Sequence, residues 1–303
     1  MILTVTYNPA VDQTMTFDEP LVAETVNRAT DARFDAGGKG INVSQFLTGL
    51  DTETVATGLL GGFTGEFVTD QLAAAGIETA FVEIEAPTRL NTTALADGTE
   101  YKLNQSGPAV DGSVVDGLLD RIARRDPERV LVGGSLPPGL DTDAIDRIAA
   151  AGSWETTVDV DGDLLAALDG EYALCKPNRE ELAAATGRPV ETVDDCVTAA
   201  GALREQGFER VVASLGADGA VLVGPDGAIH AEPLDIDVVD TVGAGDALLS
   251  GVLASLERGE SDDLALATGV AVASRVVAQA GTGVPDLNSV FDDRSAVETR
   301  RVD

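Results

Sequence analysis

The stretch Asp240-Thr241-Val242-Gly243-Ala244-Gly245-Asp246 joins a predicted strand, Ile236–Val239, to a predicted helix. The helix is indicated by apolar residues that recur at helical spacing: Leu248, Leu249, Val252, Leu253 and Leu256. Gly243 and Gly245 allow backbone N–H groups to converge where this helix begins, and unpaired donors and the helix dipole favour an anion there. The Asp246 carboxylate would be a poor phosphate ligand but a good proton acceptor. Donors for a phosphoryl group beside a base indicate a small-molecule kinase.

Simpler explanations of these glycines are only partly excluded. A turn that merely joins strand to helix, as in many α/β proteins, stays open on this segment alone. A dinucleotide-binding fingerprint does not fit, because Leu248 stands where its third glycine would be. This also opposes a Rossmann oxidoreductase. A P-loop does not fit either, because Gly38-Lys39 is followed by Gly40 rather than by Ser or Thr.

Length and composition are those of a compact α/β protein. The chain has 303 residues, of which 44% are hydrophobic and 33 are glycines, so it can bury a large core. No apolar run is long enough to span a bilayer, and the N-terminus lacks the basic flank of a signal peptide. We therefore expect a cytoplasmic protein without a membrane partner.

The net charge of −32 is spread along the whole chain rather than gathered in a tail. Only Lys39, Lys102 and Lys176 are lysines, and the other basic residues are arginines. A dispersed acidic surface with few lysines is typical of proteins from salt-loving organisms, because molar salt shortens the screening length to about 3 Å. Such a negative surface disfavours nucleic acid as a partner.

Strand patterns alternate with helical patterns along most of the chain, which predicts a mostly parallel sheet flanked by helices. Ile2–Thr6 is the first predicted buried strand. Ala80–Glu85, Asn91–Ala96 and the segment around Tyr101 are three short strands in series, with a strong hairpin signal at Asp97-Gly98. We predict that these three strands form a small accessory sheet.

Six segments in order carry a resemblance to a known family. They are Asn8–Asp12, Ala36–Val43, Gly134–Pro137, Lys176–Leu182, Ser214–Gly216 and Asp240–Asp246. Together they resemble the PfkB (ribokinase-like) carbohydrate kinases over nearly the whole chain. The set is most similar to the branch of 1-phosphofructokinases and tagatose-6-phosphate kinases. One such motif would be a weak signal, but six in order are highly specific.

The resemblance implies an open, mostly parallel α/β sheet with a small β-sheet lid that closes over the sugar. It implies one ribokinase-like domain over residues 1–303, with lid strands inserted at about residues 10–35 and 80–106. It also implies ATP as the phosphoryl donor, Mg²⁺ as the bridging metal and a homodimer formed through the lid.

The resemblance assigns Asp246 as the catalytic base and the amides of Gly243, Ala244 and Gly245 as the anion hole. On the substrate side it implies Asp12, Gly37, Gly38, Lys39, Asn42, Arg89, Asn91 and Ser135. Lys39 favours a phosphorylated sugar, since family members that act on unphosphorylated sugars need no cation there. Arg89 offers a planar fork that suits phosphate. Asp12 as a turn cap, Lys39 as a solvated loop lysine and Arg89 as a rim residue of the lid stay open.

For the nucleotide, the resemblance implies Lys176, Asn178, Ser214, Gly216 and Gly219, with Glu181 organising Mg²⁺. A single Glu is sufficient, because Mg²⁺ keeps several waters and takes few carboxylates. Asn178 and Glu181 also have the spacing of a helix capping box, and both roles can hold at once.

Together with these residues, the resemblance implies an ATP-dependent phosphosugar kinase that converts fructose 1-phosphate to fructose 1,6-bisphosphate. Fructose 6-phosphate and tagatose 6-phosphate remain alternative substrates. The unphosphorylated acid 2-keto-3-deoxygluconate is disfavoured by Lys39 together with Arg89. A catalytically silent sugar-phosphate sensor is the alternative of another class, and the intact Asp246 segment opposes it.

Overall fold

The computed structural model describes residues 1–279 and 283–302. Its strands are β1 (Ile2–Thr6), β2 (Ala10–Phe17), β3 (Asp31–Gly37), β4 (Thr54–Leu60), β5 (Glu78–Thr79), β6 (Val82–Glu83), β7 (Arg89–Ala96), β8 (Thr99–Asn104), β9 (Arg129–Gly133), β10 (Glu155–Asp159), β11 (Tyr172–Cys175), β12 (Phe208–Ser214), β13 (Ala220–Gly224), β14 (Gly227–Ala231) and β15 (Thr299–Val302). Its helices are α1 (Lys39–Gly49), α2 (Gly62–Ala74), α3 (Ser113–Arg125), α4 (Asp143–Ala150), α5 (Gly162–Ala167), α6 (Arg179–Thr186), α7 (Val193–Glu205), α8 (Ala244–Glu257), α9 (Asp262–Val277) and α10 (Val290–Asp293). No helix in these two ranges has both the length and the apolar character needed to cross a bilayer.

The large sheet has the strand order β15-β14-β13-β12-β11-β10-β9-β1-β4-β5, and β6 also pairs with β4. The strands from β12 to β4 in this order run parallel, and β13, β14 and β15 form an antiparallel edge. Every residue of β1 and β4 is buried, as expected for parallel strands covered on both faces. The predicted α/β class is therefore confirmed. The carboxyl ends of the parallel strands meet at one edge, where ligands bind in sheets of this type.

Helices cover both faces of the large sheet. Helix α8 is buried along nearly its whole length and packs against α9 and α1. The two longest of these helices approach closely through glycines: a Cβ atom on Gly251 would lie 2.7 Å from the Cα atom of Gly269. Because no side chain fits between the helices there, this contact fixes how deeply the N-terminus of α8 reaches into the molecule.

The small sheet has four strands in the order β3-β2-β7-β8. Its register places Asp12 beside Asn91 on one face, and Gln13 beside Phe34 and Thr92 on the other. Leu103 pairs with Thr92, so it belongs to the second face as well. The sheet thus has a polar face that carries Asp12 and an opposite face with exposed apolar side chains.

Two predicted strands differ from the structure. Ile236–Val239 is not a strand: Val238 and Val239 are exposed, and the Val239 amide donates to the Val277 carbonyl at the end of α9. Its β-branched residues suggested a strand, but the segment crosses a helix end instead of joining a sheet. The predicted strand Ala80–Glu85 is shortened to β6, which pairs with β4 of the large sheet rather than with the small one.

Candidate active site

The DTVGAGD segment places Asp246 in the first turn of α8. Gly243 is the N-cap residue, with a φ of 79° that favours glycine, and helix α8 starts at Ala244. The Ala244 amide donates to the Thr241 carbonyl over 3.3 Å, while Ala247 donates to the Gly243 carbonyl over 2.9 Å. The predicted anion hole therefore lies at a true helix N-terminus, although one of its three amides already has a long intramolecular acceptor.

The Asp246 carboxylate is buried, and its Oδ2 accepts a 2.8 Å hydrogen bond from Asn42 Nδ2 in the first turn of α1. Burial is the main cause that raises the pKa of Asp246 to about 6, and the nearby charge of Asp159 raises it further. The Asn42 hydrogen bond and the charges of Lys176 and Lys39 act in the opposite direction. A carboxylate with a raised pKa is suited to proton abstraction near neutral pH.

Two lysines meet a buried aspartate beside Asp246. Lys39 Nζ lies 2.7 Å from Asp159 Oδ1, and Lys176 Nζ lies 3.4 Å from Asp159 Oδ2. Burial lowers the pKa of Lys39, but the charge and hydrogen bond of Asp159 outweigh it, so the pKa is raised. A Cβ atom on Gly245 would lie 3.2 Å from Lys176 Nζ, so this ammonium group sits against the start of α8.

Asn178 and Glu181 form a capping box at the start of α6. Asn178 Oδ1 accepts from the Glu181 amide, and Glu181 Oε2 accepts from the Asn178 amide, each over 2.8 Å. Glu181 Oε1 lies 3.8 Å from Lys39 Nζ, so the same carboxylate also faces the lysine cluster. The structure thus shows the capping role of Asn178 and Glu181. The metal-organising role of Glu181 stays a prediction.

The predicted sugar residues gather at the start of the small sheet. Asp12 Oδ1 accepts from Asn91 Nδ2 over 2.9 Å, and Gly37 makes room for Asp12, since a Cβ there would overlap its carboxylate at 1.9 Å. Burial raises the pKa of Asp12, opposed by the Asn91 hydrogen bond and the charge of Arg89. Arg89 donates from Nε to the Asn8 carbonyl over 3.2 Å.

A cavity of about 180 Å³ lies beside the predicted sugar residues. Asp12 and Asn42 both line it, together with Asp35, Gln45, Gln71 and Val242. Asn42 therefore touches both the cavity and Asp246. The other two predicted sugar residues near this edge are Gly38, which precedes α1, and Ser135, which accepts from Asn8 Nδ2 over 3.1 Å.

The predicted nucleotide loop follows β12. Ser214 forms a parallel bridge with Asn178, and Gly216 opens a 3₁₀ turn that ends at Gly219. The Leu215 amide donates to the Gly219 carbonyl over 2.8 Å, which closes this loop. The loop is therefore joined directly to the segment that carries Asn178 and Glu181.

The structure brings most predicted residues into neighbouring clusters, and it gives Lys39 and Arg89 different partners. Lys39 faces Asp159 and Glu181, whereas Arg89 binds the backbone of Asn8 and lies near Asp12. A phosphate site shared by both cations remains a prediction. Sequence reasoning missed Asp159, although an aspartate at the end of a buried strand was a usable signal.

An α/β fold with a buried carboxylate and clustered cations at a helix N-terminus indicates the class of small-molecule kinases. The chain belongs to the PfkB family, because the model of the pfkB family carbohydrate kinases matches residues 5–288. It is accordingly a phosphotransferase that acts on an alcohol group.

Individual relatives agree with this family. The chain is 55% identical to a 1-phosphofructokinase of Haloferax volcanii over 302 residues, which cover 100% of this chain and 99% of the relative. It is 34% identical to a 1-phosphofructokinase of Bacillus subtilis, covering 85% of this chain and 86% of that one. The tetrameric inhibited form of phosphofructokinase-2 from Escherichia coli superposes with a TM-score of 0.88 at 28% identity, covering 97% of this chain and 99% of that one. The predicted family and ribokinase-like fold are confirmed.

Proposed function

We propose that the chain transfers the γ-phosphoryl group of ATP to the 6-hydroxyl of fructose 1-phosphate, giving fructose 1,6-bisphosphate and ADP. The observation that carries the chemistry is the buried Asp246 carboxylate at the N-terminus of α8, next to two lysines. The choice of sugar is supported by the name of the Haloferax volcanii relative, which matches the chain over its full length.

In this reaction Asp246 removes the proton of the 6-hydroxyl while the oxygen of that hydroxyl attacks the γ-phosphorus of ATP in line with the leaving ADP oxygen. The amides of Gly243 and Gly245, with the start of the helix dipole, stabilise the charge on the transferring group. Phosphoryl transfer depends mostly on positioning and charge stabilisation, so donors that are fixed before the reaction matter most. Ala244 contributes its amide if its 3.3 Å bond to Thr241 yields to the phosphate.

On the sugar side, the ring hydroxyl groups are bound in this proposal by the side chains of Asp12, Asn42 and Asn91 and by the backbone of Gly37 and Gly38. Arg89 and Lys39 supply positive charge for the 1-phosphate. Ser135 completes the rim next to Asn8. On the nucleotide side, Lys176, Asn178 and the Ser214–Gly219 loop hold ATP.

The residues present fit a Mg²⁺ ion that is held mainly by phosphates and water. Glu181 has one oxygen in the capping box and one turned towards Lys39. No cluster of three or more His, Cys, Asp or Glu side chains suited to a metal occurs within the described residues, so a cage made of protein ligands alone is not proposed. When bound, Mg²⁺ would neutralise charge on the ATP phosphates.

The proposed homodimer forms through the apolar face of the small sheet. Phe34, Tyr101 and Leu103 expose 44%, 40% and 63% of their surface on this face. An apolar groove of about 450 Å³ continues it, lined by Phe63 and Phe67 among others. Exposed apolar patches of this kind mark association surfaces, and the inhibited form of the related Escherichia coli enzyme is tetrameric. A cytoplasmic location is proposed with this assembly, since ATP and phosphosugars occur there.

A pair of substitutions on β8 tests the dimer. Leu103→Glu adds a charge to the apolar face and is expected to give monomers, as measured by sedimentation velocity in molar KCl. Asn104→Glu adds the same charge on the polar face and is the matched control. Dimers that persist in Leu103→Glu would contradict an interface on this face.

The catalytic assignment is tested by Asp246→Asn. Loss of the base is expected to lower kcat about 10²- to 10⁴-fold, with KM values changed far less. Asp163→Asn removes the same charge at an exposed position of α5 and serves as the control. Turnover by Asp246→Asn at the parental rate would contradict the proposed mechanism.

A further inference from the structure

Asp159 joins the two lysines of the site but has no place in the reaction as proposed. It is the last residue of β10, and its side chain has no exposed surface. Its two carboxylate oxygens are divided between two cations: Oδ1 faces Lys39 Nζ at 2.7 Å, and Oδ2 faces Lys176 Nζ at 3.4 Å. One buried carboxylate thus holds two ammonium groups in fixed places.

A role in stability alone does not account for this arrangement. Removing charged groups from water is costly, and a protein with apolar side chains of similar volume in place of a buried ion pair is often no less stable. The pairing is also incomplete, because Asp159 Oδ2 has no hydrogen-bond partner and only the long contact to Lys176. Lys176 is itself 4% exposed and lies against Gly245 at the start of α8.

The lysines have another carboxylate within electrostatic reach, namely Asp246. The charged groups that face Asp246 are Asp159 from β10, Lys176 after β11 and Lys39 from α1. Among the described residues, the ion pairs of both lysines go to Asp159 and Glu181, and none goes to Asp246. Asp246 is bound instead by the neutral amide of Asn42.

We infer that Asp159 is a positioning residue that holds Lys39 and Lys176 beside the N-terminus of α8 and keeps both from pairing with Asp246. The inference rests on the proposed function, because it takes Asp246 as the base. An ion pair between a lysine and Asp246 would occupy the lone pairs that must accept the proton and would lower the basicity of the carboxylate. Anchoring the lysines on Asp159 leaves the base unpaired and leaves Lys176 next to the proposed anion site.

Asp159→Asn tests the inference, because it keeps the size of the side chain and removes its charge. The freed lysines are expected to pair with Asp246, so the acid limb of kcat/KM moves to lower pH by at least half a pH unit. At pH 8, kcat is expected to fall at least tenfold. Asp163→Asn should change neither quantity. An acid limb at the parental pH in a folded Asp159→Asn protein would overturn the inference, and so would a variant changed only in its Mg²⁺ dependence.

A second variant approaches the same contact from the other side. Lys176→Met removes one cation, so the acid limb is expected to move to higher pH, opposite to the effect of Asp159→Asn. The double variant should be no slower than Lys176→Met by more than about threefold if Asp159 acts through that lysine. A double variant whose loss of turnover equals the product of the losses in the two single variants would contradict the inference. If Asp159→Asn does not fold, the inference is tested by Lys176→Met alone. An acid limb of kcat/KM that fails to move to higher pH in Lys176→Met would then overturn it.

Titration of the enzyme without nucleotide or metal gives a readout other than turnover. The Asp246 carboxyl carbon can be followed by ¹³C NMR, assigned by difference from Asp246→Asn. In each variant, the pH midpoint of this Asp246 signal should shift in the same direction as the acid limb of kcat/KM. A parental enzyme that phosphorylates no sugar would refute the proposed function, whereas an active parent with unshifted variants would refute only the role of Asp159.

Discussion

At the scale of single residues, the surroundings of Asp246 decide what its carboxyl group can do. An exposed aspartate is ionised well below neutral pH and is a weak base. Burial in the first turn of α8, with Asp159 nearby, raises the pKa of Asp246, and Asn42 prevents a larger rise by donating a hydrogen bond. The result is a carboxylate that is ionised at neutral pH but more basic than usual.

The pH profile of the enzyme should report this shift. Because the base must be ionised to act, kcat/KM is expected to fall as the pH drops through about 6, the pKa of Asp246. Measurement of initial rates between pH 4.5 and 9 at constant ionic strength checks this. A profile that stays flat down to about pH 4, where an ordinary aspartate titrates, would contradict the assignment.

Asn42→Ala should move that profile in a known direction. The variant loses the hydrogen bond that favours the ionised form of Asp246, so the pKa of Asp246 rises and the acid limb moves to higher pH. Because one hydrogen bond to a charged group is lost, the acid limb of kcat/KM is expected to move by about 1 pH unit. Thr48→Ala, also on α1, is the control, because the Thr48 hydroxyl donates to the Ser44 carbonyl and not to Asp246. A limb unchanged in Asn42→Ala would contradict the role of this contact.

Local sequence predicted some of these residues and could not predict others. Asp246 was predictable because its whole setting, a glycine turn and a helix start, lies within seven residues. Asp159 was missed because it ends β10 and Asp161 comes just after that strand, so the strand end offers two carboxylates and local sequence does not say which one faces the site. Only the strand order, with β10 between β9 and β11, brings Asp159 to Lys39 on a distant helix.

At the scale of elements, the depth of α8 positions Asp246, the proposed base, and the packing of α8 against α9 and α1 holds the helix at that depth. Gly251 and Gly269 let the two backbones meet where a Cβ atom would lie under 3 Å from its neighbours. The chain pattern predicted the start of α8 but placed a strand at Ile236–Val239 before it. That prediction was wrong because β-branched composition indicates a strand only where a sheet edge is available to pair with, and here α9 occupies the place.

Gly251→Ala should weaken this contact. Its methyl group would lie 2.7 Å from the Gly269 Cα atom and 2.8 Å from the Thr268 carbonyl oxygen, so the helices must move apart. Overpacking of this kind lowers the free energy of unfolding by about 1–3 kcal/mol. Denaturant unfolding in molar KCl measures it.

Gly201→Ala on α7 is the matched control, since nothing lies within 4 Å of a Cβ atom there. It is expected to raise the free energy of unfolding by about 0.5–1 kcal/mol, because alanine favours a helix interior over glycine. Equal effects of the two substitutions would contradict the close packing of α8 on α9.

At the scale of the whole molecule, the acidic surface makes stability depend on salt. A net charge of −32 on 303 residues opposes the compact state through self-repulsion, and salt screens this repulsion. The 55% identity with a protein from Haloferax volcanii agrees with adaptation to salt. The sequence predicted this property directly, because net charge does not depend on how the chain folds.

The thermal midpoint of unfolding is therefore expected to rise as KCl increases from 0.1 M to 3 M. Differential scanning calorimetry measures it, and sucrose at matched osmolality is the control because it does not screen charge. A thermal midpoint indifferent to KCl would contradict a surface adapted to salt.

The proposed reaction is tested most directly by measuring ADP release with Mg-ATP in molar KCl. Fructose 1-phosphate, fructose 6-phosphate, tagatose 6-phosphate and 2-keto-3-deoxygluconate are offered separately. We predict a kcat/KM for fructose 1-phosphate at least tenfold above the others, which corresponds to about 1.4 kcal/mol of transition-state discrimination. Preference for another phosphosugar would contradict the substrate and leave the mechanism in place. Turnover of 2-keto-3-deoxygluconate alone would contradict the proposal that Lys39 and Arg89 bind a sugar phosphate.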